Sequence, residues 1–139
     1  MKEIVTAAHC HAWSGDLVRY PLAPGRERAG LEPPCYPVQT HLARLAALGV
    51  QRAVLVQHIA NHHFDIDYLI DSMRAYPGRI AVIGAVGEGA SGDGIPDPCQ
   101  RLREQQRRGI SGLRIRGTHS GSWSSSRAIS TCRSDRSRA

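Results

Sequence analysis

The sequence predicts an α/β fold in which parallel strands alternate with helices. Three observations predict it. Short apolar or β-branched runs that suit strands recur four times along the 139 residues. Segments whose apolar residues fall about one helical turn apart lie between them. The helical segments are 10 to 13 residues long and end at glycine or proline, as the crossovers of βαβ units do.

Taken in order, Glu3 to Ala8 (EIVTAA) is short and partly β-branched, which suits a first strand. His9 to Tyr36 carries Pro21, Pro24, Pro33 and Pro34 with Gly15, Gly25 and Gly30, so it predicts a long loop. Connections of that length in a small domain are usually functional or mobile. Val38, Leu42, Leu45 and Leu48 mark one face of a helix that stops at Gly49. Gln51 to Gln57 (QRAVLVQ) has the continuous apolar centre of a strand covered on both faces. His58 to Phe64 predicts a polar loop, and Asp65 an N-cap for a helix to about Tyr76, stopped by Pro77-Gly78. Arg79 to Val86 (RIAVIGAV) is a third strand, Gly87 to Gly94 a glycine-rich loop, and Pro96 to Arg108 a helix ended by Gly109. Ile110 to Ile115 (ISGLRI) completes four strands and three helices.

Chemistry-bearing residues cluster where these strands end. His9 and His11 close the first strand; spaced by two, they present two imidazoles on one face. Active sites of parallel α/β folds form at that end, and neutral imidazole ligates zinc and similar metals. A polar strand end is the plain alternative. Arg114 and Arg116 share one face of the fourth strand, opposite Leu113 and Ile115. If the apolar pair lies under the helices, two guanidinium forks face the histidines and suit a carboxylate; a solvated strand end is the alternative. Gln57, His58, Asn61, His62 and His63 follow the second strand and can hydrogen-bond a ligand or simply form a wet loop. Trp13, Asp16, Arg19 and Tyr20 are placed to wall a pocket, with Asp16 better suited to a turn.

Other chemistries find no support. GEGASGDG lacks the Gly-Lys-Ser/Thr of a phosphate loop and does not match G-x-G-x-x-G. There is no G-x-S-x-G nucleophile elbow. Cys10, Cys35, Cys99 and Cys132 form no C-x-x-C pair, and free thiols are expected. No apolar run approaches the ~18–20 residues of a membrane span, and no signal peptide opens the chain, so a soluble cytoplasmic protein is expected. The charge of +6 is uneven: half of it lies in residues 118–139, which also hold 8 of the 12 serines. Arginine outnumbers lysine 17 to 1, a bias that GC-rich codons produce without any call for guanidinium chemistry.

The strings EIVTAAHCHAWSGDLVRYPL, LGVQRAVLVQ, NHHFDIDYLIDSMRAYPGRIAVIGAV and RRGISGLRIRG resemble the N-terminal half of an amidohydrolase-related (amidohydrolase family 2), metal-dependent TIM-barrel hydrolase. The nearest likeness is to the dicarboxylate lactonase and decarboxylase branch, and it covers about residues 3 to 117. The resemblance implies a (β/α)8 barrel of which this chain supplies four parallel strands and three helices, with the site at the C-terminal mouth. It implies a divalent metal, zinc above all, held in part by His9 and His11, and a small carboxylated lactone, ester or amide received by Arg114, Arg116 and His58. Ala7 stands where the family has an acidic residue, and the later histidines and the strand-8 aspartate that activates water have no counterpart here. No catalytic residue is therefore assigned.

Two regions follow: 1–117, half of a barrel, and 118–139, a disordered Ser/Arg-rich tail of the kind that out-of-frame translation of a GC-rich gene produces. Three functional readings compete. The chain is a truncated hydrolase, inactive alone; or a half-barrel that forms a homodimer through its open edges; or a basic module whose tail binds a polyanion, with steep salt dependence. The sequence favours the first. It makes nucleic acid an unlikely partner and a membrane no partner.

Overall fold

The computed structural model describes residues 3–86 and 98–114 of the chain. The strands are β1 (Thr6–Cys10), β2 (Arg52–Val56), β3 (Ile80–Ala85) and β4 (Gly112–Arg114). The helices are α1 (Val38–Ala47), α2 (Ile59–His62), α3 (Asp67–Ala75) and α4 (Pro98–Arg107). The strands form one sheet in the order β1-β2-β3-β4, every pair parallel. This is the βαβ alternation that the sequence predicts. The difference is α2, a single turn inside the expected polar loop. A 3-10 turn, Arg28–Gly30, and an isolated Trp13–Tyr36 bridge order the long first connection.

The sheet has two unlike faces. Ala53 and Leu55 of β2 are in register with Ile80 and Val82 of β3, and all four join the buried cluster with Val38 and Leu42 of α1 and Leu69 and Ile70 of α3. The helices therefore cover this face. Val54, Ala81 and Ile83 alternate with these residues and are half-buried on the opposite face. In a closed barrel that face points inward.

Side chains close the helix ends. The Tyr68 hydroxyl accepts the Val38 N–H at 2.8 Å, satisfying an orphan donor of α1. Gly49, at φ +76°, lets the chain leave α1 through the left-handed region. Asp65 Oδ1 takes the Asp67 N–H at 2.8 Å, so the expected cap acts two residues before α3 begins. Gly84 allows α4 close to β3: a Cβ there would collide with the Gln105 side chain. Gln105 is itself buried, and its Nε2 donates to Ala85 O at 2.9 Å.

The free-thiol expectation holds for Cys10, which is buried, and for Cys35. It fails for Cys99, which is disulfide-bonded. Among the described residues no helix is long and apolar enough to cross a membrane.

Candidate functional site

The histidine face of β1 depends on a bulge. Ala7 pairs with Ala53 and Cys10 with Leu55, so three residue steps on β1 match two on β2. Ala7, Cys10 and Ala12 all lie against the helix-covered core. The extra residue in β1 brings His9 to the opposite face, and His11 follows it there. The two Nε2 atoms converge to 3.2 Å.

Backbone chemistry settles the tautomer of His11. Its Nδ1 lies 2.8 Å from Val56 O. A carbonyl only accepts, so Nδ1 carries the proton. Burial is the main cause that lowers the His11 pKa, and the nearby charges of His9 and Arg114 act the same way against the Val56 bond. The ring is therefore held neutral, with a bare Nε2 facing His9.

His58 stands beside this pair. Its ring centroid is 4.9 Å from that of His11, edge to face, and 6.2 Å from Trp13, stacked. Trp13 is fixed by its Nε1–H, which donates to Pro33 O at 2.9 Å. The His58 pKa is also lowered, first by burial and then by His11, His62 and Arg114. Arg114 is in register with Ala85 at the end of β4. Its charge reaches both His11 and His58, so four predicted site residues share one end of the sheet. Arg116 lies outside the described residues.

Other predicted residues have structural tasks. Gln57 is completely buried; its Nε2 donates to His63 O at 2.7 Å and Asp65 O at 3.3 Å, and its Oε1 accepts the Ala85 N–H at 2.9 Å. It ties the α2 turn to β3 and is not open to a ligand. Asp16 forms the expected turn, its Oδ1 accepting from the Val18 and Arg19 N–H groups. Arg19 and Tyr20 both donate to Asp71 Oδ2, pinning the first loop to α3. Burial pushes the Cys10 thiol pKa up, which removes it as a nucleophile candidate. The role of the Val56 carbonyl leaves no mark in the sequence, because any residue supplies a carbonyl.

A cleft of about 360 Å³ lies elsewhere, between Pro21–Pro24, His62–Ile66 and α4. None of His9, His11, His58 or Arg114 lines it. The histidine face is the better candidate, because there several convergent groups share one mouth.

Two zinc ligands at about 2.0–2.1 Å in tetrahedral geometry sit about 3.3–3.4 Å apart. The His9–His11 spacing of 3.2 Å therefore fits two positions of such a shell. Among the described residues no group of three or more His, Cys, Asp or Glu is placed to hold an ion.

Neither a family model nor a curated protein matches the chain. Solved structures do. A probable 2-pyrone-4,6-dicarboxylic acid hydrolase from Acinetobacter baumannii, with citric acid bound, superposes with a TM-score of 0.58 at 20% identity, covering 81% of this chain and 38% of that one. The fold is that of a partial α/β barrel. An apo structure from Agrobacterium tumefaciens gives a TM-score of 0.52 at 17% identity, over 79% of this chain and 35% of that one. The chain thus spans little more than a third of the length of either neighbour. At these identities the likeness speaks for the fold alone.

Proposed function

We propose that residues 3–114 carry part of a metal-assisted hydrolase site for a small carboxylated lactone, ester or amide. The observation that carries this reading is the convergence of His9 and His11 Nε2 at 3.2 Å, with the His11 tautomer fixed by Val56. A divalent cation, zinc by the donor set, would be held by these two nitrogens together with ligands beyond the described residues. When bound, it supplies a Lewis acid for a scissile carbonyl. Arg114 supplies a fixed positive charge for a substrate carboxylate, and His58 a polar ring edge between them. The name of the Acinetobacter neighbour, a probable dicarboxylic acid hydrolase, is in keeping with that substrate class.

The chain by itself is expected to turn over little or nothing. No carboxylate among the described residues is hydrogen-bonded to His9, His11 or His58, so none is placed to take a proton from water there. A second reading is supported by the sheet: among the described residues β1 and β4 each pair on one side only, and Val54, Ala81 and Ile83 are half-buried on the face opposite the main cluster. Two copies joined at these edges would share one mouth.

Zinc titration by calorimetry, on the whole chain and on His9→Ala and His11→Ala, tests the site. Each substitution should weaken binding at least tenfold, with carboxylated lactones hydrolysed at or near background. Zinc affinity unchanged by both would remove the histidines from the role. Light scattering on the same samples separates monomer from dimer.

A further inference from the structure

Behind the mouth lies a second, much smaller space. It measures about 20 Å³, and Tyr20, Gln57, His58, His62, Asp65 and Tyr68 are among its walls. A cavity needs roughly 10–15 Å³ on this measure to admit one water. The space is therefore large enough to admit water.

Two of its lining residues carry unmet polar groups. His58 Nδ1 and His62 Nε2 are both buried and have no hydrogen-bond partner among the described residues. Buried polar atoms in folded proteins nearly always have a partner, protein or water. His58 precedes α2 and His62 ends it; the His62 N–H donates to His58 O at 3.0 Å, and both residues line the space. His62 Nδ1 faces Pro21 O at 3.3 Å. That carbonyl only accepts, so Nδ1 carries a proton, which leaves Nε2 as the ring nitrogen that can accept. A cation is the poorer occupant, since no third His, Cys, Asp or Glu joins these two among the described residues.

We propose that a single internal water fills this cavity and bridges His58 Nδ1 to His62 Nε2. The water donates one O–H to His62 Nε2 and makes a second hydrogen bond to His58 Nδ1. It is a structural part of the mouth. It fixes the far side of the His58 ring, whose near side meets His11 and Trp13. His62 thereby positions His58 without touching a ligand.

A crystal structure of the whole chain that resolves solvent tests this directly. The expected result is a density peak about 2.7–3.2 Å from both nitrogens. Oxygen-17 relaxation dispersion gives a second readout in solution. His62→Leu should lose one long-lived water relative to the unaltered chain, while His62→Gln should keep it. A cavity without density would overturn the proposal, as would equal numbers of long-lived waters in the unaltered chain and the folded His62→Leu variant. So would an anomalous peak about 2.0–2.1 Å from both nitrogens in a zinc-soaked crystal, which would make the site a metal site.

Discussion

Replacing Gln57 by leucine removes the tie between the α2 turn and β3 while keeping most of the side-chain volume. Three hydrogen bonds disappear, and they do not weigh equally. The Ala85 N–H sits on a fully buried residue and would be left without an acceptor. A buried donor in that position costs about 1–3 kcal/mol. His63 O is on a half-buried residue and Asp65 O on an exposed one, so water replaces much of what they lose. Together they add about 1 kcal/mol, the usual net value of one such bond. The expected loss is therefore about 2–4 kcal/mol out of a typical 5–15. Urea denaturation measures the total, and amide hydrogen exchange at Ala85 isolates the largest part. A loss below about 1 kcal/mol with unchanged exchange at Ala85 would refute the claim that Gln57 is an anchor.

Two further predictions concern acid and the core. Burial lowers the pKa values of His11, His41 and His58 below their ordinary value of 6.5. The unfolded chain then binds more protons than the folded one between the folded values and 6.5, so this stability is present above pH 6.5 and is lost as pH falls through the folded values. The urea midpoint should be lower at pH 5 than at pH 7.5, and a flat profile would contradict the assigned burial. Leu55→Ala, at a side chain with 0% exposure in the main cluster, should cost about 2–5 kcal/mol. Val18→Ala, at 97% exposure, should change stability by less than about 0.5 kcal/mol in the same assay.

The strand and helix order was legible because each element carries its own periodicity. Leu55 and Val82 sit in apolar runs, and Val38 and Leu42 repeat at helical spacing, so local pattern and tertiary burial agree. Gln57 shows where that legibility ends. A polar residue at the close of a strand looks solvent-facing in sequence, yet its three partners come from the backbone of residues 6, 8 and 28 positions away. The one-turn helix Ile59–His62 was hidden for a related reason: besides its own short-range bonds it is tied to Pro21 and Ala23, about 40 positions away. His9, His11, His58 and Arg114 were readable as a group because strand topology alone brings the ends of parallel strands together.

The bulge in β1 has a consequence that substitution experiments cannot reach. Counting by twos from Ala7, which faces the helices, would send His9 and His11 under α1 and Ala8 into the mouth. The extra residue reverses that parity. Deleting Ala8 should therefore yield an unbroken strand whose histidines keep their facing. The deletion also leaves the rings at their height beside β2, because two steps on β1 would then match the two from Ala53 to Leu55. The facing of the histidine pair thus rests on the number of residues between it and Ala7, a property of chain length rather than of side-chain identity.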